Sequence, residues 1–508
     1  MKHFDCVVIG SGNGGLGACC KMLKEGKSTL LVEKHNLPGG FATSFVRGRF
    51  EFEASLHEFN GIGVGSKGGQ TGELYKEIGV YDKIEWLEIK NAFHLYSKEE
   101  GIDFVMPIGL DNCVNACKNL CEDGEKYAKQ FLDLCKEIYD AMKYVSDSHG
   151  KPDIEVMKSK YINYLTMGSY SVNEVYDAMN MPHILRCVFS AYWCYLGSHC
   201  DELSFVHYAN MIYKYLADGA VVPKHRSHEI ASAFVDRIYE LGGEVYFNTE
   251  ATNILTDENN EVCGVKLNNG EIIETKHVIA NVSPHVVYSK LLDEKAVPER
   301  AIKLCNFRKF SGRGFSIFLG LNKSPEELGI YDHSYFIFDT SDNVKLYENM
   351  KTFEKNNGQA TVCLNHVNPD CSPKGTTILY FTTLYNEDIW KDVKEEDYYK
   401  FKNKIALKLI DSFEKATHTN IKDHIEEIEI ATPWTYARYT GHPQGCIYGY
   451  DSLYDDGLMG RIQMVKEDHF IKGLRICGAY AERLLGYPSS FRSGINEANR
   501  TLKDMEEN

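Results

Sequence analysis

The sequence predicts an α/β protein: a parallel sheet nucleated at the N-terminus, carried in a discontinuous domain, with a mixed α+β region built from two insertions. Three observations predict it. A β-branched run at residues 4–9 breaks into a glycine cluster and then a helical pattern. Alternating residues return over 241–278 as a meander. Between and beyond them lie two long stretches of different character, one helical and one rich in aromatic strands.

The opening run, FDCVVIG, reads as a buried strand over residues 4–9. It ends in Gly10-Ser11-Gly12-Asn13-Gly14-Gly15, which fits G-x-G-x-x-G, and Leu16, Cys19, Cys20 and Leu23 then recur at helical spacing up to Gly26. A second strand, STLLVEK, carries Glu33 at its tip. Each part has a mechanical role in a Rossmann-type unit. Gly10 permits the tight turn, Gly12 lets a diphosphate approach the backbone, and Gly15 lets the helix pack closely on the sheet. Free N–H groups at the helix start attract phosphate. The Glu33 carboxylate suits ribose hydroxyls and repels a 2′-phosphate. Strand, turn, helix and acidic tip together predict dinucleotide binding.

The next segment selects the dinucleotide. Pro38-Gly39-Gly40 follows Glu33 closely, where a nicotinamide-only unit would proceed to its next helix. That turn lets the backbone, with Lys34, Phe41 and Ala42 beside it, run along an extended cofactor. Phe50 and Phe52 then alternate with Arg49, Glu51 and Glu53, the period of a half-buried strand. The layout suits FAD.

Composition bounds the rest. With 508 residues, 43% hydrophobic and 25% charged, the chain can bury a large core, and disordered or collagen-like readings are excluded. A net charge of −16 opposes a nucleic-acid-binding role. The 16 cysteines are scattered, no signal segment precedes the first strand, and no apolar run reaches membrane-spanning length. The expectation is a cytoplasmic protein with free thiols, at most peripheral to a membrane. Cys113, Cys117 and Cys121 recur at i, i+4, i+8 but match no common zinc or iron–sulfur spacing. They read as a soft apolar helix face, and no metal is expected.

From about residue 93 to 219 the pattern is helical. Residues 181–217 are rich in aromatic and aliphatic side chains, suiting either an ordinary core or the wall of a tunnel for a long apolar substrate. The second insertion, 301–444, carries the strand-like runs GFSIFLGLN and TTILYFTTLY. Residues 343–358 read as a charged, solvated excursion, and Arg308 to Arg313 as surface charge.

Three further stretches carry a resemblance. Residues 230–292, WTYARYTGHPQGCIYGY at 434–450 and LRICGAYAERLLGYPSSFRSGINEANR at 474–500 follow in order across most of the chain. With the glycine turn, they resemble the FAD-dependent phytoene desaturases, carotenoid cis–trans isomerases and retinol saturases. The resemblance implies a glutathione-reductase/amine-oxidase-like FAD domain made of 1–95, 220–300 and 445–508, and a substrate domain made of 96–219 and 301–444. It implies that the Ala251 backbone meets the adenine edge, and that Gly478, Ala479, Ser489 and Ser490 finish the flavin site. This chain departs from the family pattern at Phe41, at Ser489 where a second glycine is usual, and at Lys224-His225-Arg226-Ser227.

The chemistry implied is desaturation, saturation or isomerisation of a polyene, isoprenoid or unsaturated fatty acyl chain at flavin N5. NAD(P)H or another redox partner would reduce the flavin from outside, since no second G-x-G-x-x-G domain is present. His57, Glu58, His225, Arg226 and Tyr439 are the polar groups expected near the flavin face, with His57, Tyr439 and Arg226 as catalytic candidates. His57 is preferred because an unperturbed imidazole titrates near neutral pH. Two other readings stay open: an amine oxidase with Tyr448 and Tyr487 as an aromatic pair, and a carrier of FAD or isoprenoid without turnover.

Overall fold

A computed structural model describes residues 2–63, 69–148, 151–451, 469–481 and 486–507. Five parallel strands form the sheet at its base, in the order Glu244–Tyr246, Thr29–Val32, Cys6–Ile9, Val278–Ala280 and Leu474–Ile476. Cys6–Ile9 is wholly buried, as a parallel strand covered on both faces must be. The strand begins two residues later than the β-branched run suggested. Lys2–His3 instead pairs with Ile272–Glu274 at the edge of the four-stranded meander.

The opening helix, Asn13–Lys24, packs against the closing helix, Gly486–Glu507, through glycines. A Cβ on Gly494 would run into the Gly14 carbonyl oxygen, and one on Gly17 would lie 2.9 Å from the Phe491 carbonyl oxygen. Small residues at the crossing therefore set how near the two backbones come. The meander, Ala251–Thr256, Val262–Leu267 and Ile272–Glu274, turns at Asn268-Asn269-Gly270, with Gly270 at φ +86°.

The second sheet has seven strands, in the order Ile425–Ala431, Arg313–Leu321, Thr377–Tyr385, Gln359–Cys363, Ser334–Phe338, Asn91–Ser97 and Ile102–Pro107. Both faces of its central strands are covered. Phe315, Ile317, Leu319, Leu379 and Phe381 pack with Ile405, Leu409, Ile410 and Phe413 of the outer helix Tyr398–Thr417. The alternate residues Phe318, Tyr380 and Thr382 face a large internal cavity.

Several expectations are corrected. Residues 91–107 are two sheet strands, so helices begin only at Leu110, and a domain boundary at 95 falls inside a strand. The cysteine helix stops at Cys117, and Cys121 lies in the turn before the helix Gly124–Asp147. Residues 343–358 are not a solvated excursion. Asn343–Asn349 is a helix whose Asn343 and Leu346 are buried, with Met350 and Asn356 buried beyond it. Arg308 and Arg313 are buried as well. Arg308 lies over the Tyr450 ring at 5.2 Å, and Arg313 donates to Gln444 Oε1 and to the Ser311 carbonyl oxygen. Among the described residues, no helix is long and apolar enough to cross a membrane.

Candidate active site

One cavity of about 1180 Å³ extends from the glycine turn to the inner face of the seven-stranded sheet. Its lining includes Gly10, Gly12, Asn13, Gly14, Glu33, Lys34, Gly39, Gly40, Phe41, Ala251, Ala479, Ser489 and Ser490. Ser11, Gly15, Ala42 and Gly478 are absent from that lining. Ser11 is fully buried and donates to Glu33, while a Cβ on Gly15 would strike the Gly10 carbonyl oxygen. Ala42 is fully buried, its N–H donating to Gly39 at 2.9 Å. The Gly478 N–H lies 2.8 Å from where a Gly14 Cβ would sit. These four shape the site from behind its surface.

The residues at the dinucleotide end fit FAD. Gly10 turns at φ +91°, and any side chain on Gly12 would meet the Asn281 amide. Glycines are what the close approach requires. Asn13 Oδ1 is buried without a hydrogen-bond partner and faces this cradle, as a ligand-binding amide would. Glu33 is only 8% exposed, and its carboxylate accepts the Ser11 N–H at 2.8 Å, the Ser11 hydroxyl at 2.7 Å and the His35 N–H at 2.8 Å. Its remaining lone pairs line the cavity and are placed for ribose hydroxyls. The closing helix starts at Gly486, ahead of the Ser489-Ser490 pair, and Gly486 to Ser490 line the cavity at its N-terminal end.

Asn281 was not singled out from sequence. Its side chain abuts Gly10, Gly12, Gly14 and Gly478 at once, and its N–H donates to Ile9. The only signal for it is its place directly after the strand Val278–Ala280. Glu53 was read as an exposed strand position, yet it is buried. It accepts the Ser227 N–H and hydroxyl at 2.8 and 2.6 Å, tying the hairpin Ser44–Arg47/Phe50–Glu53 to the helix Arg226–Glu240.

The catalytic candidates separate. His57 lines the cavity, with Nε2 3.1 Å from Thr382 Oγ1 and Nδ1 3.5 Å from the Tyr195 hydroxyl. Burial, assisted by His333, pushes its pKa down to about 3, so the ring is neutral and the premise of a near-neutral imidazole does not hold. Arg226 does not line the cavity. Its guanidinium donates to the Glu51 carbonyl oxygen at 2.8 Å, to the Glu51 carboxylate at 2.9 Å and to the Cys371 carbonyl oxygen, which makes it a clamp between the hairpin strand Phe50–Glu53 and the turn at Cys371. His225 is exposed and outside the cavity. Tyr439 lines the cavity but is 52% exposed and packs 5.6 Å from His35, beside the Glu33 tip rather than beside His57.

Of the aromatic segment 181–217, Tyr195, Leu196, His207, Asn210, Met211, Lys214 and Tyr215 line the cavity, while Tyr192 and Trp193 belong to the core. Burial lowers the Lys214 pKa to about 8, helped by Arg492. Tyr448 and Tyr487 both face the cavity, but the Tyr487 hydroxyl is spent on the Phe41 carbonyl oxygen at 2.6 Å and on Ser55 at 2.7 Å. Its ring packs edge-on against Phe59.

A family model described as an NAD(P)-binding Rossmann-like domain matches residues 8–78. The chain is 25% identical to a zebrafish (Danio rerio) protein named all-trans-retinol 13,14-reductase, over 89% of this chain and 78% of that one. It is 22% identical to the chloroplastic prolycopene isomerase of Daucus carota, covering 99% and 81%. It is 21% identical to the 1-hydroxycarotenoid 3,4-desaturase of a Flavobacterium strain, covering 87% and 88%. Among solved structures, an oxidoreductase from Methanosarcina mazei superimposes with a TM-score of 0.63 at 15% identity, covering 98% and 100%. Putrescine oxidase does so at 0.64 and 12%, covering 99% of each chain. The structural likenesses establish the fold, and the relatives aligned along nearly the whole chain bear out the resemblance: this chain is an FAD-dependent enzyme similar to the phytoene desaturase, carotenoid isomerase and retinol saturase family.

Proposed function

We propose that this enzyme desaturates, saturates or isomerises a carbon–carbon double-bond system in a long apolar polyene, isoprenoid or unsaturated lipid. One observation carries the reading: the cavity that begins at the dinucleotide cradle continues, without a partition, into a wall of Phe45, Leu56, Leu196, Met211, Phe318 and Ile447. A pocket of this size and lining suits a long apolar ligand. The names of the relatives, a retinol reductase, a carotenoid isomerase and a carotenoid desaturase, support the same substrate class.

A bound flavin would supply hydride acceptance or donation at N5. The chain's own residues bind and shield. Glu33 and the glycine turn hold the adenosine and diphosphate portions, and the closing helix directs its N-terminal N–H groups and dipole into the cavity, favouring negative charge there. Phe318 and Tyr380, stacked 5.0 Å apart, keep water from the sheet-side wall. NAD(P)H or another diffusible donor would reach the flavin from outside. Tyr487, held by its hydroxyl against the Phe41 loop, is poorly suited to half of an amine oxidase's aromatic pair.

The test is anaerobic. Retinol, carotenes and unsaturated fatty acids are added separately to oxidised and to reduced holoenzyme, with primary amines in parallel, while flavin absorbance and product mass are followed. Lipid product with a changed hydrogen count, or an isomer of unchanged mass formed only by reduced enzyme, is the expected result. Flavin reduction by amines alone would overturn the reading.

A further inference from the structure

Glu58 is a buried, cavity-facing carboxyl that none of the roles above uses. It follows His57 on the loop leaving the hairpin strand Phe50–Glu53, it is 5% exposed, and it lines the cavity. Both of its carboxyl oxygens are buried and neither has a hydrogen-bond partner. The Tyr192 and Tyr195 hydroxyls lie near enough to act on the carboxyl without making a well-formed hydrogen bond to it: Tyr192 donates to the Ala92 carbonyl oxygen at 3.0 Å, and Tyr195 lies 3.5 Å from His57 Nδ1. Tyr192 and Tyr215 stack at 4.7 Å and Tyr195 meets Tyr215 at 5.8 Å, and all three phenols are near enough to feel a charge on the carboxyl. Burial raises its pKa to about 8, with the two nearby tyrosine hydroxyls opposing that only in part. At neutral pH the group is therefore an uncharged acid, with one O–H to donate and a carbonyl oxygen to accept.

We propose that the Glu58 carboxyl is the anchor for a neutral oxygen function, a hydroxyl or carbonyl, on an otherwise apolar substrate. This deepens the reading above and rests on it. A pure hydrocarbon seated against this acid leaves a buried donor and acceptor unpaired, whereas an alcohol supplies a partner for both. Sites that hydrogen-bond a substrate hydroxyl reject the analogue lacking it far more strongly than apolar pockets sort ligands by size. The structure thus favours oxygenated isoprenoids or lipid alcohols over bare carotene hydrocarbons. Asn60, also on the cavity wall, is engaged with the Tyr215 hydroxyl and adds a second polar group to the lining.

The experiment uses holoenzyme and two matched ligand pairs: all-trans-retinol with its deoxygenated hydrocarbon, and oleyl alcohol with the corresponding octadecene. Binding is read from quenching of tryptophan fluorescence, since Trp434 lines the cavity. The expected result is that at least one alcohol binds about tenfold or more tightly than its hydrocarbon. Glu58→Leu should erase that ratio while leaving hydrocarbon binding as tight or tighter, and Glu58→Gln, which still donates and accepts, should keep most of it. Circular dichroism and flavin colour confirm that each variant is folded and loaded. Equal affinity for alcohol and hydrocarbon in the parent, or an unchanged ratio in Glu58→Leu, overturns the anchor alone. If no member of either pair binds, the apolar-substrate reading itself falls, and the anchor with it.

Discussion

Glu33 accepts both the backbone N–H and the hydroxyl of Ser11, at 2.8 and 2.7 Å, so the tip of the second strand is locked to the glycine turn before any ligand arrives. That carboxylate therefore serves two ends, the loop behind it and the ribose in front. Glu33→Arg should lose FAD on gel filtration, because it brings bulk into the ribose space and removes the acceptor of the Ser11 bonds. Glu33→Gln should keep the shape and weaken retention by about 10- to 100-fold, the usual worth of hydrogen bonds to a charged acceptor. Flavin absorbance per protein is the measurement, and a Glu33→Arg protein as yellow as the parent would show the ribose assignment wrong.

The glycine contact between the two long helices yields a stability prediction. Gly494→Ala places a methyl against the Gly14 carbonyl oxygen, and neither backbone can yield without disturbing the diphosphate turn. Overpacking of this kind costs about 1–3 kcal/mol. The melting temperature should fall, and FAD affinity should fall with it because Gly14 moves. Gly242→Ala makes the control for strain without clash, since its φ is +80° and nothing lies within 4 Å of its added Cβ. It should lower stability while leaving FAD affinity unchanged.

Two neighbours, His57 and Glu58, should shape the pH dependence of stability in opposite directions. His57 has its pKa lowered from 6.5 to about 3, so across that interval the unfolded chain binds a proton that the folded one refuses. Its contribution is complete above the upper value and drains away as pH falls. Glu58 is raised from 4.5 to about 8, so the folded state keeps a proton that the unfolded chain releases, and its contribution drains away as pH rises through that interval. Each effect is on the order of 5 kcal/mol at its far limit. Thermal melts of the holoprotein across pH should show His57→Gln flattening the acid limb and Glu58→Gln flattening the alkaline one. A Glu58→Gln profile that overlays the parent would mean the carboxyl is not held protonated.

Arg226 is predicted to matter for stability rather than for the reaction centre. Its guanidinium is 7% exposed and satisfied by Glu51 and the Cys371 carbonyl oxygen, and its backbone sits at φ +66°. Arg226→Ala leaves the Glu51 and Cys371 carbonyl oxygens and the half-exposed Glu51 carboxylate without their donor, and should cost about 1–3 kcal/mol. Lysine cannot reproduce the three-way fork, so Arg226→Lys should recover only part of that loss. Chemical denaturation measures both, and a loss of turnover at unchanged stability would restore a catalytic role.

What could be read from the chain alone was what local spacing encodes. The glycine turn, the helix behind it and the acid at the strand tip all fall within the first 33 residues, and their geometry follows from neighbouring dihedrals and a single crossover. The same holds for the Asn268-Asn269-Gly270 turn and for the aromatic alternation of Phe50 and Phe52. Burial of polar groups was not legible there. Arg308, Arg313 and Glu53 look like surface residues by type, and they become interior only because strands and loops far away in sequence close over them. Glu58 and His57 show this most clearly: adjacent in the chain, they are driven in opposite electrostatic directions by one cavity wall. Desolvation there depends on Tyr192, Tyr195 and Tyr215, contributed from more than 130 residues downstream. The sequence by itself determined the dinucleotide cradle and the resemblance to a family. Tertiary structure decided which polar groups stay uncharged and unpaired, because a group's solvation is set by everything packed around it rather than by its neighbours along the chain.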